Sequence, residues 1–174
     1  MKISDSSEYY HYQGASYKVL LTIFRDVILE TRDFHFVDIG CGKGRAVLVA
    51  EFCGYNKLSG IDLDAQLIND AIENLKTFKL KRPESQIDFI CENALDFDYP
   101  DVPTVYFLFN PFSEAILSKV LKRICEMSKE EMVFVYMNPT FPGPFAFEGI
   151  TRWKTYKSHR YVEAIVFKRE KINS

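Results

Sequence analysis

The run Phe36-Val37-Asp38-Ile39-Gly40-Cys41-Gly42-Lys43-Gly44 constrains the fold of this chain more than any other segment. His35 to Ile39 reads as a short apolar strand, three alternate glycines end it, and Arg45 to Phe52 resumes at helical spacing. The order is therefore strand, tight turn, helix. Lacking Cβ atoms, the glycines admit a tight turn and let a ligand approach the backbone at the carboxyl end of a strand, where open α/β sheets bind ligands. A second strand, Leu58 to Asp62, ends in Gly60-Ile61-Asp62 and sets a carboxylate about 20 residues beyond the first turn. At that separation an acid can accept both ribose hydroxyls of a nucleotide-like cofactor. Taken singly, these features read as an ordinary βα turn and a solvated strand end; together they are far more specific.

The rest of the chain repeats the unit. Tyr17, Leu20, Leu21, Phe24, Val27 and Ile28 predict an amphipathic helix ahead of the first strand, and Leu67, Ile68, Ala71, Ile72 and Leu75 predict another after the second. Ile87 to Cys91 is a third strand, and the nearly continuous apolar runs Val105 to Phe109 and Met132 to Met137 suit central strands covered on both faces. Between these two runs Ser113 is a plausible N-cap with Glu114 in the first turn, and Ile116, Leu117, Val120, Leu121 and Ile124 form a buried stripe. Asn138 to Phe145, with three prolines and a glycine, reads as a loop. Ile150 to Tyr156 and Tyr161 to Phe167 read as two strands joined by Lys157-Ser158-His159-Arg160, a terminal antiparallel hairpin. The expected fold is an α/β sandwich on a mostly parallel seven-stranded sheet. One domain is expected, with residues 1–30 as an arm and helix packed on a core of residues 31–174.

With 22 basic against 24 acidic residues, no global field draws the chain to nucleic acid or to an anionic membrane. The four cysteines, Cys41, Cys53, Cys91 and Cys125, form neither a C-x-x-C pair nor a secreted framework, so no metal site is expected and a reducing cytoplasm is the simplest location. The first residues hold no apolar signal core, and no apolar run approaches the roughly 18 to 20 residues of a membrane span.

A nicotinamide dehydrogenase needs a third glycine in G-x-G-x-x-G, and Arg45 occupies that position here. The glycines run G-x-G-x-G instead, and on Val37 to Gly44 the chain resembles the class I S-adenosylmethionine (SAM)-dependent methyltransferase family, over about Tyr9 to Phe167. The resemblance implies a Rossmann-like methyltransferase fold with SAM as cofactor. It further implies that Gly40, Cys41, Gly42 and Gly44 face the methionine part of SAM, that Asp38 helps fix its amino group, and that Asp62, with Leu63 beside it, takes the ribose. In Glu92-Asn93-Ala94-Leu95-Asp96-Phe97, similar to the family's third motif, Asn93 and the Ala94 amide would read the adenine. Cys41 otherwise reads as a small packed residue, and Lys43 and Arg45 as helix-start surface residues.

On the acceptor side the fourth strand ends in Asn110-Pro111-Phe112, an amide, a rigid turn and an aromatic beside the expected methyl position. The segment resembles, with one proline missing, the Asn-Pro-Pro-aromatic motif of methyltransferases acting on adenine or glutamine amide nitrogens, and implies that these three residues are catalytic. The competing reading is a core-packing turn. Tyr12-Gln13-Gly14-Ala15-Ser16-Tyr17 is similar to a segment of the non-SET protein-lysine methyltransferases, which implies cofactor contacts from Tyr12 and Ser16; Ser16 also reads as a plain helix N-cap. Tyr9, Tyr10, His11 and Tyr12 are compatible with a lid or with an arm packed on the body. Arg152, Lys154, Lys157, His159 and Arg160 make the hairpin locally basic, a solvated face or a surface for phosphate. The leading expectation is transfer to nitrogen of a protein side chain or small molecule. A nucleic-acid methyltransferase of the adenine type and a non-catalytic SAM-binding module are the alternatives.

Overall fold

The computed structural model describes residues 16–147, 149–158 and 161–172. The expectations for Tyr9, Tyr10, His11, Tyr12, His159 and Arg160 lie outside the described residues.

The elements follow the predicted order: α1 Tyr17–Thr31, β1 His35–Ile39, α2 Arg45–Cys53, β2 Lys57–Asp62, α3 Ala65–Thr77, β3 Gln86–Cys91, β4 Thr104–Phe109, α4 Glu114–Met127, β5 Met132–Met137, β6 Ile150–Ser158 and β7 Tyr161–Arg169. They build a seven-stranded sheet ordered β3-β2-β1-β4-β5-β7-β6. The first five strands pair in parallel, β7 joins β5 antiparallel, and β6 closes the edge against β7. The chain turns back at β1, with β2 on one side and β4 on the other, so the crevice at the carboxyl ends of β1 and β4 is the switch point where such sheets bind ligands.

Two cores cover the sheet. Leu20, Ile23, Phe24 and Val27 of α1 and Val47 and Ala50 of α2 pack with Ile68 of α3 on Phe36, Leu58, Phe107 and Val135. On the other face Ile116, Leu117, Val120, Leu121 and Ile124 of α4 meet Val37, Ile39, Tyr106, Leu108 and Phe134. The alternation of Phe36, Val37 and Ile39 between these cores is the period of a strand buried on both sides. Ser113 caps α4 as expected, accepting from the Ile116 amide at 3.5 Å. Asp64 caps α3 through bonds from the Gln66 and Leu67 amides.

Two local readings are corrected. The proline-rich segment after β5 is not loop throughout, since Gly143–Phe145 forms one 3-10 turn with Pro at its start, where the missing amide proton is not needed. Lys157 and Ser158 belong to β6 rather than to the hairpin connection, because Lys157 pairs with Val162 and Ser158 with Tyr161, which continues the ladder.

The candidate cofactor and acceptor site

The turn after β1 is tied to the end of β2 by its own backbone. The Gly40 and Cys41 amides both donate to the Ile61 carbonyl at 2.9 Å, and the Gly44 amide returns to the Cys41 carbonyl at 2.9 Å. Gly40 and Gly44 adopt left-handed φ values of 80° and 77°, which side chains disfavour. They also leave room: a Cβ on Gly44 would lie 2.5 Å from the Phe89 ring of β3, and one on Gly40 would lie 2.8 Å from Pro111 Cβ. The second contact spans the switch point, bringing the glycine turn and the turn after β4 into direct contact.

Asp62 braces the same turn. Its Oδ2 accepts from the Gly42 amide at 2.9 Å and its Oδ1 from the Asp64 amide at 3.0 Å. Two carboxylate oxygens offer about four lone-pair positions, so both retain capacity for a ligand's hydroxyls. Asp38 lies in β1, only 2% exposed, and burial together with the charge of Asp62 pushes its carboxyl well above the usual range. Cys41 is buried in the turn, and burial pushes its thiol up, with the Asp38 and Asp62 charges adding to it, which favours the packed thiol over the thiolate.

At the end of β3 the Asn93 side chain closes a turn, its Oδ1 accepting from the Leu95 amide at 2.9 Å. Ala94 is buried, and its carbonyl accepts from the Tyr99 hydroxyl at 2.8 Å. Leu63, by contrast, is 54% exposed next to Asp62, an apolar surface at the rim of the crevice.

Beyond β4, Asn110 has a left-handed φ of 43° and its carboxamide is engaged at both ends. The Tyr136 hydroxyl donates to Oδ1 at 2.8 Å, and Nδ2 donates to Thr140 Oγ1 at 2.9 Å. Phe112 is buried in the core beneath α4. Asn110 and Pro111 are therefore at the switch point with Gly40, while Phe112 faces the packed interior. The partners Tyr136 and Thr140 were not identified from the sequence. Tyr136 is one residue of an unbroken apolar strand, and Thr140 sits in a proline-rich stretch that carries no motif.

Ser16 is the residue before α1, extended at φ −65° and ψ 130°, and its hydroxyl makes no capping bond. The basic hairpin is partly neutralised: Lys154 pairs with Asp26 of α1 at 3.1 Å, and Tyr156 donates to the same carboxylate. Among the described residues no group of His, Cys, Asp and Glu side chains is arranged to hold a metal ion. None of their helices is long and apolar enough to cross a membrane.

The donor set fits SAM. A partly buried carboxylate at the second strand end suits vicinal ribose hydroxyls, a buried carboxyl in β1 suits an ammonium group, and the glycine-rich turn between them admits close backbone approach. Asp38, Gly40, Cys41, Gly42, Gly44, Asp62, Leu63, Asn93 and Ala94 all lie along the carboxyl ends of β1, β2 and β3.

Comparison with known proteins agrees with this arrangement. Over 67 residues the chain is 34% identical to the ribosomal protein L11 methyltransferase of Burkholderia orbicola, covering 34% of this chain and 22% of that protein. The chain thus spans about a quarter of the length of the curated relatives it matches. In structure it is similar to a candidate methyltransferase of Escherichia coli, with a TM-score of 0.73 at 17% identity over 93% of this chain and 91% of that one. It is also similar to the magnesium protoporphyrin IX methyltransferase of Synechocystis with bound SAM, with a TM-score of 0.65 at 10% identity over 88% of this chain and 79% of that one. Residues 36–131, more than half of the sequence, match the methyltransferase domain family. The chain belongs to that family.

Proposed function

We propose that this protein is a SAM-dependent methyltransferase that transfers the methyl group to nitrogen, on a protein side chain or a small molecule. The observation that carries the proposal is the contact of the Gly40 turn with Pro111, which sets a fixed carboxamide, that of Asn110, beside the cofactor crevice. When bound, SAM supplies an electrophilic methyl group. The protein then has to align the acceptor, exclude water and leave the acceptor lone pair free. Asn110 Oδ1 retains a lone pair that can accept an N–H of the incoming group, which directs the nitrogen lone pair away from the amide. Asp38 and Asp62 hold the cofactor from the other side.

The near-balance of 22 basic and 24 acidic residues supports a protein or small-molecule acceptor over a polyanion. Similar structures include a 23S rRNA methyltransferase, so an RNA acceptor is the second reading. Incubating the protein with methyl-labelled SAM and separated protein, RNA and small-molecule fractions of a cell extract tests both. Label in protein or in small molecules is the expected result, and label confined to RNA would overturn the preferred acceptor class. Asn110→Ala should leave SAM affinity within about threefold while slowing transfer roughly a hundredfold, the pattern of a contact made mainly in the transition state. A variant that only melts earlier and transfers normally when folded would make Asn110 a turn residue.

A further inference from the structure

The hydrogen bonds around Asn110 specify one orientation of its carboxamide. The Phe141 amide, which can only donate, reaches the Tyr136 hydroxyl at 3.3 Å, so a lone pair of that oxygen is used there and its proton goes to Asn110 Oδ1. At the other end the Thr140 hydroxyl lies 3.5 Å from the Asn138 carbonyl, which can only accept, so Thr140 Oγ1 is left to accept from Asn110 Nδ2. Both ends therefore agree: oxygen toward Tyr136, nitrogen toward Thr140.

The frame behind them is rigid. Tyr136 is fully buried in β5, in register with Leu108 of β4. Its ring lies 5.1 Å from that of Phe145, which itself stacks on Phe167 at 4.3 Å. Asn110 and Asn138, each following a strand, adopt the uncommon left-handed conformation, with φ 43° and 47°. Such a backbone persists where its surroundings over-determine it. The segment after β5 is thus folded back so that one buried tyrosine and one threonine grip the amide of the neighbouring strand end.

We infer that Tyr136 and Thr140 are positioning residues that hold the Asn110 carboxamide with one oxygen lone pair and one N–H directed to the methyl acceptor. The inference rests on the proposed role of Asn110. A carboxamide fixed in advance pays no orientational entropy when the acceptor arrives, whereas a freely turning one presents its oxygen for only part of the time.

Tyr136→Phe keeps the ring and its contact with Phe145, and Thr140→Val keeps the branched shape, so each removes one hydroxyl. The side-chain NH2 signal of Asn110 in nitrogen-15 spectra, identified by its loss in Asn110→Ala, should be rigid in the wild type and more mobile in both variants. Unchanged mobility in both overturns the inference. In labelling of extract protein with methyl-tritiated SAM, Tyr136→Phe should slow transfer about tenfold with KM for SAM within about twofold. The double variant Asn110→Ala/Tyr136→Phe should be no slower than Asn110→Ala alone, because the tyrosine acts through the amide. Losses that multiply, or a slow Asn110→Ala beside an unaffected Tyr136→Phe, overturn the inference and leave Asn110 in place. A normal rate for Asn110→Ala overturns the proposed site as well.

Discussion

Gly40→Ala perturbs the junction on which the site depends, and the structure supplies a matched control. At φ 80° the backbone of Gly40 is one that a residue with a Cβ adopts at a cost of roughly 1–2 kcal/mol. The new Cβ would also stand 2.8 Å from Pro111 Cβ, a ring atom that cannot swing aside, and relieving such overpacking costs typically about 1–3 kcal/mol. Gly149, just before β6, has almost the same φ of 81°, but among the described residues beyond its chain neighbours the nearest atom to an added Cβ is Arg169 Cγ at 3.5 Å, an ordinary contact. Gly149→Ala should therefore carry the backbone term alone. For a chain of this length 1 kcal/mol corresponds to about 2–4 °C in Tm, so the summed cost of about 2–5 kcal/mol should make Gly40→Ala melt roughly 4–20 °C below wild type, and the backbone term alone should make Gly149→Ala melt about 2–8 °C below. Thermal unfolding followed by circular dichroism measures both. Titration with SAM should show weaker binding in Gly40→Ala only, since the turn must shift to clear Pro111. Equal melting losses with equal SAM affinities in the two variants would refute the argument that the first glycine is required by contact across the switch point.

Asp38 gives a pH dependence of defined sign. Its carboxyl is raised by burial and by the charge of Asp62, so from about pH 3.8 upward the folded protein keeps a proton that the unfolded chain has released, and stability declines as pH rises. Asp38→Asn removes that decline, so melting curves between about pH 4 and pH 8 should converge at the acid end and favour the variant at the neutral end; parallel curves would contradict this. The same variant should bind SAM less tightly, because a carboxamide cannot give up a proton to become the anion that an approaching ammonium group favours. Glu51, fully buried in α2, accepts from the Arg82 amide at 2.8 Å, the Lys81 amide at 3.2 Å and Ser85 Oγ at 3.3 Å, which fixes the segment leading into β3. Glu51→Ala should lower stability by about 3 kcal/mol in urea unfolding while SAM affinity stays within about twofold, because these bonds lie at the amino end of β3. A loss below about 1 kcal/mol would show that the carboxylate is dispensable.

Most of the sheet was legible because its strands are short, apolar and separated by helical stripes, so that β1 to β5 and α1 to α4 follow from periodicity. The hairpin was underestimated at Lys157 and Ser158, where polar residues hide a ladder that continues through backbone pairing. Asp62 stood out by its spacing from the glycines, and the structure gives a reason beyond a ligand: it accepts the Gly42 amide and so orders the turn itself. Glu51 was missed because a lone glutamate on a helix looks like a solvated residue, and only the tertiary fold brings Lys81, Arg82 and Ser85 to it. The same holds for Tyr136 and Thr140, whose meeting with Asn110 depends on β4 and β5 being neighbours and on the following loop turning back. Phe112, which the motif resemblance names, has its ring in the core on the α4 face of the sheet, a placement that the motif alone does not specify.

The most direct test of the assignment is calorimetric titration of SAM into the wild-type protein and Asp62→Ala. Hydrogen bonds to a charged group contribute roughly 1.5–3 kcal/mol, so the variant should bind about ten- to a hundredfold more weakly. Circular dichroism should confirm that the variant is folded, since the Gly42 and Asp64 amides also lose their acceptor. A folded variant with unchanged affinity for SAM, or a wild-type protein that binds no SAM, would contradict the placement of the cofactor at the carboxyl ends of β1 and β2.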